Sequence, residues 1–210
     1  MESGSKTLQA IVWIILGGVI AFVAVLFFNS RGRASGLPFY GQVQPFALTN
    51  QSGQVVTLSD LKGKVWVADV IFTRCAGPCP KMTEEMRKLQ AAFESGEPLR
   101  FVTLTTDPEY DTPAVLRRYS EKFNANPQRW FLLTGPKSEI LANLAIGSLK
   151  LSALEKAEEQ QQNENDLFIH STQFVLVDKS GKLRGVYDSL EPGFQEEIQA
   201  DIQGLLGEDE

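Results

Sequence analysis

One stretch narrows the folds open to this chain more than any other. Lys64-Val65-Trp66-Val67-Ala68-Asp69-Val70-Ile71-Phe72 is mostly apolar on both parities of a strand. A sheet with one wet face would alternate; a strand apolar on both sides has to be covered on both faces, which calls for an α/β layer architecture. Three residues later comes Cys75-Ala76-Gly77-Pro78-Cys79-Pro80. Gly77 and Pro78 bend the chain, and Pro80 suits the first turn of a helix, where its missing N–H has no intrahelical partner. Met82, Met86, Leu89 and Phe93 then recur at spacings of four, three and four, which predicts a helix over 80–94.

The remaining pattern extends this strand–loop–helix unit. Residues 46–48 and 55–58 flank Asn50-Gln51-Ser52-Gly53 as a hairpin. Residues 99–105 read as the next strand, 112–123 as a helix opened by Pro113, 130–133 as a short strand and 137–145 as another helix. Residues 152–166 form a polar, Glu- and Gln-rich insertion that reads as a surface excursion. A second hairpin, 173–178 with 182–187, turns at Lys179-Ser180-Gly181, and a helix over 194–206 closes the domain. The order βαβα followed by ββα is that of a thioredoxin-like domain, a central mixed sheet flanked by helices.

Residues 8–28 carry no charge, and Gln9 is the one strongly polar side chain among them. At 1.5 Å per residue they match a hydrocarbon core of roughly 30 Å, so they read as one transmembrane helix behind a short tail, 1–7. A cleaved signal peptide is the rival; its apolar region is usually about 7–15 residues long, and Gly32-Arg33-Ala34 is a poor cleavage site. No cysteine follows the run, which argues against a lipoprotein. Residues 29–42, rich in Gly, Pro, Ser and Arg, read as a linker, leaving 43–210 as the folded domain. Arg31 and Arg33 after the span, against Lys6 before it, lean weakly towards a cytoplasmic domain. The chain holds 20 Lys+Arg and 26 Asp+Glu, a net charge of −6, which disfavours nucleic acid as a partner.

Two cysteines and one histidine are the whole supply of sulfur and imidazole beyond methionine. Cys79 near a helix N-terminus is expected to have a lowered thiol pKa. The three intervening residues leave room to close a disulfide or to hold an ion between the sulfurs. Two thiolates suit Cu(I), and His170, just ahead of a strand, would make a three-donor site that also accepts Cu(II). Zinc remains open if a carboxylate completes the set. The cysteines could also be inert core residues, and the histidine structural. Met82 and Met86 fit core packing better than ligation, given their helical spacing. Asp107 and Asp111 read as an acidic pair near the site or, equally, as shaping the turn and capping the helix after it.

Phe72-Thr73-Arg74-Cys75-Ala76-Gly77-Pro78-Cys79-Pro80 resembles the F-T-x-C-x-x-x-C-P motif of the Sco/SenC family of copper-binding, thioredoxin-like proteins. Thr106-Asp107-Pro108-Glu109-Tyr110-Asp111-Thr112-Pro113 is similar to its D-P-x-x-D-T segment, and His170-Ser171 with Phe174-Val175-Leu176-Val177-Asp178 and Gly181 to its step into a hairpin. The resemblance implies that Cys75, Cys79 and His170 bind copper and that the protein assists maturation of the dinuclear copper centre in cytochrome c oxidase subunit II. Delivery of copper and reduction of that centre's cysteines by a redox-active Cys75/Cys79 pair are both implied, as alternatives. A copper or redox sensor is a third reading. An extracytoplasmic domain, periplasmic or in the mitochondrial intermembrane space, is implied as well, against the weak charge signal. Ala76-Gly77-Pro78 departs from the family pattern, in which Pro often follows the first Cys directly.

Overall fold

In chain order the protein forms strands β1 (Gly41–Gln42), β2 (Ala47–Asn50) and β3 (Val55–Thr57), helix α1 (Leu58–Leu61), β4 (Val65–Ile71), α2 (Cys79–Ala92), β5 (Leu99–Thr105), α3 (Pro113–Lys122), β6 (Trp130–Thr134), a π-helix (Glu139–Ser148), β7 (Ala153–Glu155), β8 (Phe168–His170), β9 (Gln173–Val177), β10 (Lys182–Asp188) and α4 (Phe194–Leu206). The structure, a computed structural model, describes residues 13, 15–21, 36–151, 153–155 and 168–208.

The doubly apolar stretch is the hub. All seven residues of β4 are buried. It runs parallel to β5 and antiparallel to β9 within an eight-stranded sheet of order β1-β10-β9-β4-β5-β6-β2-β3. Alternate side chains feed two cores. Val65, Val67 and Ile71 join Met82, Met86, Leu89, Leu116, Ile198 and Ile202 under α2, α3 and α4. Trp66, Ala68 and Val70 join Leu61, Ile140, Leu144 and Leu149 under α1 and the π-helix. The fold is therefore the mixed, two-faced α/β sheet of a thioredoxin-like domain.

Four boundaries differ from the sequence reading. First, residues 37–42, assigned above to the linker, are part of the domain. Gly41–Gln42 pairs with β10, Leu37 packs on the core, and Arg184 donates from Nη2 to the Leu37 carbonyl at 3.0 Å. Edge pairing of two residues leaves no hydropathy pattern to find. Second, Leu58 ends no strand but begins α1, whose capping box links Thr57 and Asp60. Third, the helix expected over 137–145 is a π-helix reaching Ser148. Its Leu149 N–H bonds the Leu144 carbonyl at 2.9 Å, and a Cβ on Gly147 would stand 2.8 Å from the Ala142 carbonyl oxygen, so the wide turn needs glycine there. Fourth, the polar insertion starts with a strand, β7, antiparallel to β8; 156–167 lie outside the described residues.

Of the apolar run 8–28, the structure describes Trp13 and 15–21, which are helical. The rest of the proposed span, and the tail before it, lie outside the described residues. Among those described, no helix is long and apolar enough to cross a membrane.

Candidate functional site

The cysteine loop forms where β4 runs out of partners. Beyond Ile71 the chain turns, with the Cys75 N–H on the Phe72 carbonyl at 3.2 Å, and re-enters regular structure at α2. Pro78 is the N-cap, Cys79 opens the helix and Pro80 follows within its first turn. The cysteines are not joined in a disulfide and both are buried, Cys75 9% exposed and Cys79 0%. The Gly77 N–H lies 3.3 Å from Cys75 Sγ. One turn into α2, Thr83 donates to the Cys79 carbonyl at 2.9 Å and its hydroxyl sits 2.8 Å from that of Tyr119.

Burial reverses one expectation. Desolvation, with a hydrogen bond and charge interaction from Cys75, pushes the Cys79 thiol well above its ordinary pKa, although a backbone contact from Phe72 pulls the other way. The helix N-terminus does not win, because its influence is worth at most about 2 kcal/mol while full desolvation of a charge costs several times more. Unassisted, Cys79 is a protonated thiol.

The aspartates lie against the cysteine loop and do not cap α3. The α3 cap is Thr112, whose side chain accepts the Val115 N–H. Asp111 is fully buried and instead reaches across to the cysteine loop. It accepts the Thr73 N–H at 3.1 Å, the Thr73 hydroxyl and the Thr105 hydroxyl. Burial raises its pKa against those three donors. Asp107 takes the Arg74 guanidinium at 2.6 Å, and Arg74 lies 4.2 Å from the centre of the Tyr110 ring. Thr73, Arg74 and Thr105 thus belong to the site, and nothing in their spacing marks them. Below the loop, Asp69 accepts Thr103 Oγ1 at 2.6 Å, which in turn accepts Trp130 Nε1 at 3.0 Å. This buried polar chain was hidden inside an apolar strand.

Met82 and Met86 are wholly buried in one core cluster with both cysteines, Leu89 and Phe93, as packing residues should be. His170 ends β8, opposite Ala153. Because β9 pairs antiparallel with β4, Val175 opposite Ala68, the start of β9 and His170 just ahead of it lie at the end of the sheet where β4 meets the cysteine loop. Among the described residues, no group of three or more His, Cys, Asp or Glu is placed to hold a metal ion. The two sulfurs alone offer a soft, two-donor set.

Comparison with known proteins agrees with this arrangement. The family model described as SCO1/SenC matches residues 39–207. The SCO1 protein homolog of Bacillus subtilis is 31% identical over 191 residues, covering 90% of this chain and 96% of that protein. Among solved structures, BsSco, described as a Sco family cytochrome c oxidase assembly protein with a disulfide switch, is 34% identical with a TM-score of 0.68, covering 81% of this chain and 96% of that one. Bradyrhizobium japonicum ScoI with copper bound is 27% identical with a TM-score of 0.65, covering 78% and 99%. A match to the family model that begins within the docked segment 37–42 and ends at the close of α4 takes in nearly all of the described domain, cysteine loop included, and the chain belongs to the SCO1/SenC family.

Proposed function

We propose that the protein is a membrane-anchored copper metallochaperone. Cys75, Cys79 and His170 hold one copper ion as cargo and pass it by ligand exchange to the dinuclear copper centre of cytochrome c oxidase subunit II. The observation that carries this reading is the pair of buried, unbridged cysteines on one strand-to-helix turn, with the chain's one histidine on a segment returning to the same end of the sheet. Two thiolates suit Cu(I), and an added imidazole keeps the site competent for Cu(II). Copper in the related Bradyrhizobium structure supports the choice of metal. Residues 8–28 anchor the domain, which lies on the extracytoplasmic side. The test is anaerobic Cu(I) titration of the full-length protein in detergent. Wild type should bind one equivalent, and Cys75→Ala, Cys79→Ala and His170→Ala should each weaken binding; unchanged stoichiometry and affinity in all three would sink the reading.

A second activity is favoured by the hydrogen-bonded proximity of the two thiols and by the disulfide switch described for BsSco. In it the Cys75/Cys79 dithiol reduces a disulfide in the oxidase copper site. One S–S bond forms here and one breaks in the partner, and two electrons and two protons pass to the partner's cysteines. A single-cysteine variant should trap a mixed disulfide with the oxidase subunit. If it traps nothing while copper transfer continues, the protein is a carrier alone.

A further inference from the structure

We propose that Asp111 is a positioning residue for the cysteine pair: its carboxylate clamps the loop that leads into Cys75 and thereby holds the pair in its dithiol geometry. The inference rests on the reading of Cys75 and Cys79 as the functional centre. Cys79 needs no such device, since it opens α2 and its carbonyl is already held by Thr83. Cys75 closes only a turn on the Phe72 carbonyl beyond β4, and the residues leading into it are held by the loop that follows β5. Asp111 takes both the N–H and the hydroxyl of Thr73. Asp107 takes Arg74 at 2.6 Å. The clamp is itself braced, because the Asp111 N–H bonds the Asp107 carbonyl at 2.8 Å, the Thr106 N–H bonds the Ile71 carbonyl at 2.8 Å and the Asp107 N–H bonds Thr105 Oγ1 at 3.0 Å.

The carboxylate is buried and all three of its donors point at it, so the arrangement is fully satisfied only while Thr73 stays where it is. Those bonds are complete with the two cysteines as thiols, so any shift of Thr73 that accompanies closure of a Cys75–Cys79 disulfide costs them. An element shifts an equilibrium only by its differential interaction with the two states, and here that difference favours the dithiol, the form able to take up a soft metal ion. The short Asp-Pro-x-x-Asp segment thus acts on the cysteine loop from the end of β5 that lies beside it.

The test is the equilibrium between dithiol and disulfide, read by thiol titration of the full-length protein in dithiothreitol redox buffers without copper. Oxidised dithiothreitol accepts the two electrons and two protons that the cysteines release. Asp111→Ala leaves three buried donors without an acceptor, and the equilibrium should move towards the disulfide by about tenfold, which is about 30 mV for a two-electron couple. Asp111→Asn should stay near wild type: its carbonyl can accept the Thr73 N–H and the Thr105 hydroxyl while its amide donates to Thr73 Oγ1. A merely structural role would lower the melting temperature and leave the constant alone. Folded Asp111→Ala within about twofold of wild type overturns the proposal on that scale, as does a wild type that forms no disulfide under any of these buffers. If Asp111→Ala does not fold, Thr73→Val decides: a shift in the same direction supports the clamp and an unchanged constant overturns it. Because copper is absent, failure of the copper reading would show only in the metal titration and leave this result standing.

Discussion

Met82 offers a decisive separation of packing from ligation. It lies one turn beyond Cys79, 0% exposed, in the cluster that holds both cysteines, Met86 and Leu89. If its sulfur is only filling space, Met82→Leu preserves volume and should cost under about 1.5 kcal/mol, whereas Met82→Ala opens a cavity and should cost about 2–5 kcal/mol. For a domain of this size 1 kcal/mol moves the melting temperature by about 2–4 °C, so the alanine variant should melt roughly 4–20 °C lower and the leucine variant within roughly 6 °C of wild type. Circular dichroism melts give the stability, and competition with a Cu(I) chelator gives the affinity. Met82→Leu should bind Cu(I) as wild type does, because nothing in a packing role depends on sulfur. A leucine variant that melts normally but loses Cu(I) affinity by about tenfold, 1.4 kcal/mol, would refute the assignment and make Met82 a ligand.

Three further outcomes follow from the same contacts. In an α-helix Gly→Ala gains about 0.8–1.0 kcal/mol, but Gly147→Ala should instead destabilise by about 1–3 kcal/mol, because the new Cβ meets the Ala142 carbonyl oxygen at 2.8 Å; a raised urea midpoint would contradict the π-turn geometry. Burial raises the Asp178 pKa, but hydrogen bonds from the Lys182 N–H, the Ser180 hydroxyl and N–H and Arg184 outweigh it and hold the carboxyl below its usual range. Its contribution is therefore present above the unfolded pKa of about 3.9 and lost as pH falls through the lower folded value. Asp178→Asn should cost about 1–3 kcal/mol at neutral pH and progressively less in acid, and an equal cost at both pH values by urea titration would show that the charge is irrelevant. Arg184→Gln removes the donors to the Leu37 and Pro38 carbonyls, at 3.0 and 3.3 Å. Amide exchange at Tyr40 and Val43, which bond the Leu183 and Gly181 carbonyls, should accelerate well before the sheet loosens; unchanged exchange would mean the docking of 37–42 does not depend on that side chain.

Most of the fold was legible because its elements announce themselves by burial. β5 and α4 fall where their apolar periodicity puts them, and β4 reads as doubly covered because it is. What was missed is held by backbone or by single polar contacts that leave no periodic trace. Gly41–Gln42 is a strand only because β10 has a free edge beside it. The π-helix differs from an α-helix by one carbonyl in the hydrogen-bond register, which side-chain periodicity over ten residues does not resolve. In the site, the two cysteines and the methionine packing were readable from spacing; of the two readings open for the aspartates, the capping one fails for a physical reason. Capping is a local preference, and Thr112 satisfied it, leaving Asp107 and Asp111 for partners 33 and 38 residues away that only the parallel pairing of β4 and β5 brings within reach.

The reversal at Cys79 joins the two activities proposed for the site. A thiol buried at the head of a helix is held protonated, because desolvation opposes a bare thiolate more strongly than the helix end favours it. Such a sulfur gives up its proton only to something that replaces it at bonding distance. Within this pocket there are two such replacements, a soft cation shared with Cys75 and the Cys75 sulfur itself. Copper uptake and disulfide formation are then competing exits from one dithiol, each releasing the Cys79 proton, and neither leaves an uncompensated Cys79 thiolate in the core. With the clamp proposed above, the balance between them is set from the flank of the loop away from the helix, where Thr73 and Arg74 are held by Asp111 and Asp107.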